Sequence, residues 1–330
     1  ERWHSAPSVG RTAGGTYPLL NGEETVDMLK DTMLYLAKQD GIRQFVSHNP
    51  VGRRVARRFV AGEALDEAMD VAEELNGRHI SISLDHLGEN VSDSTEARAA
   101  AADYIKILDN IAASAADANI SVKLTALGLD ISPAQARTNL MRVLERAREL
   151  NIFVRVDMEC ADYTQATLEI VAELHHDYDN VGTVVQSMLY RTPKDVEALI
   201  ASKTRVRLVK GAYLEPPAIA YPRKADVDTA YRELMFALLE RGTYPAIATH
   251  DERLIADARR FAAAHGIAKA RFEFQMLYGI RRDLQEKLAQ EGYNVRVYVP
   301  YGTQWYPYLT RRMAERPANL VFVASNALRR

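Results

Sequence analysis

The stretch His79–Gly128 reads "HISISLDHLGENVSDSTEARAAAADYIKILDNIAASAADANISVKLTALG" and decides the fold. It holds two short runs rich in apolar and β-branched residues, separated by a segment long enough for a crossover helix. A strand, a helix and a second strand in this order predict two parallel strands in one sheet, because parallel neighbours need a long connection.

The same unit recurs along the rest of the chain. Eight strand-like runs are present: "HISISLDHLG", "ISVKLTALG", "IFVRVDME", "VGTVVQSM", "RVRLVKGAY", "YPAIATH", "ARFEFQML" and "NVRVYVPYG". Eight such units within about 250 residues predict an α/β fold, a (βα)₈ TIM barrel. A doubly wound open sheet is the alternative, but no G-x-G-x-x-G follows the first strand and no phosphate-binding loop motif occurs. We assign the barrel to residues 77–330.

Residues 1–76 are predicted to form a mobile tail and an N-terminal helical arm. Helical spacing of apolar residues indicates one helix over Glu23–Gln44 and a second over Arg53–Leu75. The second helix carries a basic cluster: Arg53, Arg54, Arg57 and Arg58. This cluster is interpreted as a solvated or internally paired face, with contact to an anionic lipid or an acidic protein as the alternative.

Bulk composition excludes several classes of function. The formal net charge of the 330 residues is -2, which argues against a dedicated nucleic-acid binder. The single cysteine, Cys160, allows no intrachain disulfide, which is compatible with the reducing cytoplasm. We expect the Cys160 thiol to be inert. No metal motif is present, and the adjacent His175 and His176 cannot face one ion together on a helix. No apolar run is long enough to span a bilayer.

Polar residues collect at the predicted carboxyl ends of the strands, where barrel enzymes carry their active sites. They are Asp85, His86, Lys123, Asp157, Gln186, Arg207, Lys210, Tyr213, Thr249, His250, Gln275 and Tyr298. Any one of them could simply satisfy a backbone group in a loop. Polar groups at all eight strand ends instead indicate partners, either each other or a ligand, because unpaired buried charges are costly.

The last predicted helix, "WYPYLTRRMAER", follows directly on the eighth strand. Its spacing places Tyr308, Arg311, Arg312 and Glu315 on one stripe, and two adjacent arginines can clamp a carboxylate or phosphate. At the fifth strand end, Gly211 and Ala212 leave the backbone uncovered beside cationic and aromatic side chains. This combination favours an anionic, aromatic cofactor.

These stretches resemble the proline dehydrogenase family. "RLVKGAY", "ATHD", "FEFQMLYGI", "RVYVPYG" and "YLTRRMAE" occur in the family's order and at sensible spacing, and "LDHLGE", "VKLTALG", "VVQSMLYRT" and "RRFVAGE" add to the match. The resemblance covers the chain from about residue 23 onward and is to the short, monofunctional type. It implies a distorted (βα)₈ barrel that binds FAD without a Rossmann domain, oxidises L-proline to Δ1-pyrroline-5-carboxylate and passes electrons to a membrane quinone.

The resemblance also implies a substrate site. Arg311 and Arg312 would pair with the proline carboxylate, and Lys123 would lie beside the substrate, supported by Asp157 and Glu315. The side chains that it implies around the proline ring are Tyr213, Leu277, Tyr298 and Tyr308. The residues expected to be catalytic are Lys123, Arg207, Arg311 and Arg312.

A flavin site is implied as well. Arg207 and Gln186 would approach the flavin ring system, where negative charge develops on reduction. The remaining implied cofactor contacts are Asp157, Met158, Val209, Lys210, Gly211, Ala212, Tyr213, Thr249, His250 and Gln275. One position departs from the long bifunctional members, because Leu214 stands where they carry a tryptophan. The adenosine end of the cofactor is therefore expected to sit differently.

Two other functions remain open at the level of sequence. A barrel lyase could use Lys123 or Lys210 as a Schiff-base nucleophile, although this does not explain the two-arginine helix. A non-catalytic binding protein would hold proline without turnover. The protein is expected in the cytoplasm, and any contact with the membrane that carries the implied quinone is expected to be peripheral, at the inner face of the cell membrane. No oligomeric state follows from the sequence.

Overall fold

A computed structural model describes residues 56–88 and 91–315, with side chains as far as residue 310. Within this part of the chain, eight parallel strands close into a barrel in sequence order. Their bounds are β1 Ser81–His86, β2 Ala118–Val122, β3 Val154–Val156, β4 Val181–Gln186, β5 Arg205–Val209, β6 Ala246–Ala248, β7 Glu273–Leu277 and β8 Asn294–Tyr301. The prediction of a (βα)₈ barrel is confirmed, and the doubly wound alternative is wrong because β8 pairs with β1.

Helices follow the strands along the chain. The described helices are α1 Leu65–Asn76, α2 Ser94–Ser114, α3 Pro133–Glu149, α4 Ala161–His175, α5 Thr192–Ala201, α6 Lys224–Arg241, α7 Glu252–Ala264, α8 Arg282–Gln290 and α9 Trp305–Glu315, with a 3₁₀ turn at Lys269–Arg271. Capping side chains define several starts: Asp93 accepts the backbone N–H groups of Thr95 and Glu96, and Asp251 accepts that of Arg253. Long crossover segments are therefore helical where the sequence predicts them.

The strands separate an apolar layer from a polar interior. Outward-facing residues such as Ile82, Leu84 and Phe274 are completely buried in the hydrophobic core. Side chains alternate across a strand, so the intervening residues point into the barrel. The β8–β1 register pairs Tyr298 with Ser83, and the β7–β8 register pairs Leu277 with Tyr298. This closure brings polar residues from distant parts of the chain together inside one ring.

The predicted arm is only partly within the described residues. Its first helix, over Glu23–Gln44, lies outside them. The prediction of one continuous helix over Arg53–Leu75 is wrong, because α1 begins at Leu65 after turns and irregular backbone. The Glu67 carboxylate explains this start, since its Oε2 accepts the backbone N–H groups of Glu63 and Ala64 at 2.8 and 3.2 Å.

Two kinds of feature are absent from the described residues. None of their helices is both long and apolar enough to cross a bilayer. No group of three or more histidine, cysteine, aspartate or glutamate side chains among them could hold a metal ion.

Candidate active site

Arg207 occupies the centre of the polar interior. It lies on β5, and only 5% of its surface is exposed. Its Nη1 donates to Asp157 Oδ1 at 2.6 Å, its Nε donates to Gln275 Oε1 at 2.5 Å, and its Nη2 donates to Ser121 Oγ at 3.1 Å. A buried guanidinium is tolerated only when its N–H groups are satisfied in this way. The barrel therefore holds a fixed positive charge on its axis.

Asp157, directly after β3, and Tyr298, on β8, complete this centre. Asp157 Oδ2 accepts a hydrogen bond from the Tyr298 hydroxyl at 2.7 Å, while its other oxygen faces Arg207. The Arg207 guanidinium also lies over the Tyr298 ring, 5.2 Å from the ring centroid. Burial and the negative charge of Asp157 raise the pKa of Tyr298 well above its usual range. Tyr298 is therefore a neutral hydrogen-bond donor at any physiological pH.

A second ion pair lies at the ends of β1 and β2. Lys123 directly follows β2, and its Nζ lies 2.5 Å from Asp85 Oδ1. Both side chains are buried. Neighbouring Tyr104 on α2 is completely buried, and burial raises the pKa of its phenol well above the usual range. Lys123 is thus oriented by a carboxylate that the family resemblance does not assign.

Gln275 contacts Arg207 and links it to a third ion pair, between Glu273 and Arg296. The Gln275 Nε2 donates to Glu273 Oε1, and Glu273 accepts the Arg296 Nε at 3.1 Å through Oε2. Burial raises the pKa of Glu273, but the charge of Arg296 and the Gln275 hydrogen bond outweigh this and lower it overall. Both ends of the Gln275 amide are therefore committed to protein partners.

At the end of β5 the backbone passes close to the β4 loop. Gly211 has φ +119, and a Cβ there would lie 2.2 Å from Met188 Sδ. The next residue, Ala212, is exposed, and the half-buried Tyr213 packs on a small cluster that contains Met188. Lys210 is held by two carboxylates, Asp228 at 2.6 Å and Asp251 at 3.1 Å.

The ends of β6 and β7 are joined by hydrogen bonds. His250 Nε2 accepts the backbone N–H of Leu277 at 3.0 Å, so the neutral ring carries its proton on Nδ1. Thr249 is buried, its backbone N–H donates to the Gln275 carbonyl at 3.2 Å, and its hydroxyl oxygen accepts the Asp251 N–H. These contacts fix both residues at the mouth of the barrel.

The ends of β3 and β4 hold the other expected cofactor residues. Met158 and Gln186 are buried, and the Gln186 Nε2 donates to the Glu159 carbonyl at 3.0 Å. The half-buried Val209 accepts the Ser187 N–H at 2.9 Å. These residues lie on the same side of the barrel as Asp157 and Arg207.

The last helix, α9, starts at the barrel mouth as the sequence predicts. Tyr308 is 4% exposed and packs in a cluster with Trp305, Leu309 and Leu87. The backbone of α9 continues to Glu315, but the side chains of Arg311, Arg312 and Glu315 lie outside the described residues. The carboxylate clamp stays a prediction.

Sequence reasoning gave no role to three side chains of this network: Asp85, Glu273 and Arg296. The sequence predicts Asp85 at a polar strand end but does not identify Lys123 as its ion-pair partner. Glu273 shares a strand face with Gln275, and Arg296 shares one with Tyr298, because residues two apart on a strand face the same side. Glu273 and Arg296 could therefore have been found by stepping back two positions from the predicted site residues Gln275 and Tyr298.

Comparison with known proteins gives a consistent result. A family model described as proline dehydrogenase matches residues 68–325. The chain is 45% identical to proline dehydrogenase of Deinococcus radiodurans over 280 residues, covering 83% of this chain and 90% of that protein. It is 40% identical to proline dehydrogenase 1 of Bacillus subtilis strain 168 over 304 residues, covering 92% of this chain and 100% of that protein.

Larger proteins share the same region. The chain is 28% identical over 320 residues to the bifunctional protein PutA of Escherichia coli, covering 82% of this chain and 24% of that protein. Among solved structures, proline utilization A from Bdellovibrio bacteriovorus inactivated by N-propargylglycine superposes with a TM-score of 0.77 at 27% identity, covering 89% of this chain and 37% of that chain.

Proposed function

Because this chain belongs to the proline dehydrogenase family and is an oxidoreductase that acts on proline, we propose that it oxidises L-proline to Δ1-pyrroline-5-carboxylate with FAD as hydride acceptor. The observation that carries this proposal is the buried Arg207, held among Asp157, Gln275 and Ser121 inside the barrel. Its position and charge suit a site where negative charge develops.

The residues present fit a flavin. A flavin ring is flat and becomes anionic on reduction, so it needs a nearby cation and an accessible stretch of backbone. Arg207 supplies the cation, and Gly211 and the exposed Ala212 supply the backbone. Bound FAD would accept the hydride from the substrate. Gln186, Met158, Val209, Thr249 and His250 border the same mouth and are the proposed cofactor contacts.

The protein's part in the reaction is to orient proline. The ring carbon next to nitrogen gives up a hydride and the nitrogen gives up a proton, so the amine must reach the site neutral and in one orientation. Arg311 and Arg312 are proposed to hold the carboxylate, and Lys123, fixed by Asp85, is proposed to lie beside the substrate. Tyr298 is proposed to pack on the ring while its hydroxyl stays bonded to Asp157.

A Schiff-base lyase is a weaker candidate on the geometry of its lysines. Such a nucleophile must attack as a free amine. The Lys123 amino group pairs with Asp85, and the Lys210 amino group pairs with Asp228 and Asp251. Both groups are engaged in ion pairs, and the comparisons with known proteins favour proline oxidation.

We propose that the electrons pass to a membrane quinone, through peripheral contact of the protein with the inner face of the membrane. The family resemblance supports this proposal. The site lies at the open end of the barrel, where the strand ends and their loops form the surface. An acceptor that approaches this end would meet Ala212 and Tyr213 without crossing the barrel wall.

Turnover of a dye acceptor tests the proposed activity. We expect the purified protein to reduce the dye with L-proline and to release an imine that amine reagents trap. Pyrrolidine is the matched control substrate, because it has the same ring without a carboxylate and should be a poor substrate. Proline binding without dye reduction would instead identify a binding protein, and borohydride trapping of a carbonyl substrate on lysine would identify a lyase.

A further inference from the structure

We infer that Glu273 is a positioning residue for Arg207, acting through the amide of Gln275. Four polar groups run in a line through the barrel interior: the Arg207 Nε, the Gln275 amide, the Glu273 carboxylate and the Arg296 Nε. Neither Glu273 nor Arg296 has a role in the proposed activity so far.

The line begins and ends on a donor. Arg207 Nε donates to Gln275 Oε1 at 2.5 Å, and Arg296 Nε donates to Glu273 Oε2 at 3.1 Å. An arginine Nε can only donate. The side chains of residues 275 and 273 lie between the two arginines, so each must present an acceptor to its neighbouring arginine. Where these two side chains meet, one must donate and the other must accept.

An amide next to a carboxylate satisfies all three contacts. The Gln275 Oε1 faces Arg207, its Nε2 donates to Glu273 Oε1, and the Arg296 Nε lies nearest the second carboxylate oxygen, at 3.1 Å, with Oε1 at 3.3 Å. Two amides cannot do this, because every orientation of the pair leaves one donor against another donor. Two carboxylates would place oxygen against oxygen at the centre. The line requires one carboxylate, and Glu273 supplies it.

Burial makes this requirement strict. Glu273 is 2% exposed and Gln275 is 3% exposed, so water cannot easily replace a missing partner. The other contacts of Glu273 are weaker or lie further from the mouth: the Tyr244 hydroxyl is 3.4 Å from Oε2. Arg296 is held separately, since its Nη1 donates to the Ile82 carbonyl at 2.7 Å. Among the described residues, Glu273 provides the acceptor for the Gln275 NH₂ group and so keeps the Gln275 oxygen turned towards Arg207.

Loss of the Gln275 orientation would change the position of Arg207. If the Gln275 amide turned over, its NH₂ would meet the Arg207 Nε–H, and Arg207 would move off its contacts with Asp157 and Ser121. The effect on a flavin rests on the proposed function. The effect on the position of Arg207 does not.

A charge-conserving swap tests this inference. Glu273→Gln leaves a donor against a donor in every orientation, whereas Glu273→Gln combined with Gln275→Glu restores every contact with the carboxylate at the other position. We expect the single variant to reduce proline-dependent flavin reduction by about tenfold at saturating proline, with the proline KM within about threefold of wild type. The double variant should recover most of the rate.

Three further measurements accompany the rates: the flavin reduction potential, the melting temperature and the position of Arg207 in crystal structures. The single variant should make the flavin harder to reduce and displace Arg207, and the double variant should reverse both changes. Tyr244→Phe is the matched control, since it removes a contact to Glu273 without changing the Gln275 orientation, and it should resemble wild type.

Several outcomes would overturn the inference. One is a double variant that is no better than the single variant. Another is a single variant that loses stability but keeps its reduction rate and its Arg207 position, since that would be a purely structural effect. If Glu273→Gln does not fold, recovery of folded protein by the swap supports the inference and lack of recovery contradicts it. A wild-type protein that binds no flavin would refute the proposed function. The position of Arg207 and the melting temperatures of the variants would still test whether Glu273 positions Arg207.

Discussion

The Arg207 guanidinium and the Asp157 carboxylate form an ion pair inside the barrel, with Nη1 2.6 Å from Oδ1. Their side chains are 6% and 12% exposed. The pair joins β5 to β3, strands that do not hydrogen-bond to each other. It therefore fixes the interior across the barrel rather than along its wall.

Replacing Arg207 with methionine should slow flavin reduction and also destabilise the fold. The variant lacks the cation at the site of developing charge, so we expect proline-dependent flavin reduction to fall by at least about a hundredfold. It also leaves Asp157 without its ion-pair partner, which costs about 3–5 kcal/mol of unfolding free energy.

The double variant Arg207→Met/Asp157→Asn is the matched control for that experiment. It removes the uncompensated charge, so most of the stability should return in denaturant unfolding while flavin reduction stays slow. A normal reduction rate in Arg207→Met would remove Arg207 from the chemistry.

The predicted carboxylate clamp on α9 is testable by substrate affinity. Arg312→Met should raise the KM for L-proline at least about tenfold, equal to about 1.4 kcal/mol. Thr310→Ala on the same helix is the control, because among the described residues its hydroxyl donates to the carbonyls of Tyr306 and Pro307 within that helix. A normal proline KM in Arg312→Met would show that another group binds the carboxylate.

Gly211 is expected to tolerate no side chain. Gly211→Ala adds a Cβ 2.2 Å from Met188 Sδ at a φ of +119, so we expect a loss of about 3 kcal/mol in unfolding free energy. Gly266→Ala is the control for backbone strain alone: its φ is +65 and a Cβ there meets nothing within 4 Å, which predicts about 1–2 kcal/mol.

The steric part of the Gly211 effect should be reversible. Adding Met188→Ala to Gly211→Ala removes the clashing sulfur and should recover part of the lost stability in the same unfolding experiment. Equal losses in Gly211→Ala and Gly266→Ala would argue against a close approach of the two loops.

The ion pairs of Lys210 should stabilise the fold at neutral pH and lose this effect in acid. Burial raises the pKa of Asp228 and of Asp251, but hydrogen bonds to Lys210 outweigh it and lower both overall, with Lys224 adding to the effect on Asp228. A lowered folded-state pKa gives stability that is present above the unfolded value, about 3.9, and is lost as pH falls through the folded value.

Lys210→Met should therefore lower the melting temperature most near pH 6–7, and the difference from wild type should shrink below about pH 4. Melting curves of both proteins across this range check the sign. A difference that grows towards low pH would contradict the assignment of the two carboxylates as partners of Lys210.

The barrel could be predicted from the sequence because every strand run is short, rich in apolar or β-branched residues and followed by a helix-length segment. Asp157 could be placed at the end of β3 for the same reason, whereas Arg207, predicted at a strand end, lies in the middle of β5. The start of the helix in the arm was harder to predict. Helical spacing of apolar residues continues through Gly62, but α1 begins only at Leu65, where the Glu67 carboxylate accepts the backbone N–H of Glu63.

The polar line of Arg207, Gln275, Glu273 and Arg296 could not be predicted, because it depends on register and closure. Gln275 lies opposite Arg296 only through the β7–β8 register. Arg207 comes from β5, which pairs with β4 and β6 and not with β7. Which end of an amide faces which neighbour is a property of three-dimensional packing, not of residue type.

The most direct test of the central claim is an absorbance spectrum of the purified protein, recorded before and after anaerobic addition of L-proline. We predict the two visible bands of an oxidised flavin, and we predict that L-proline bleaches them and pyrrolidine does not. A colourless protein that stays colourless after incubation with FAD, or a flavin spectrum that L-proline leaves unchanged, would contradict that claim.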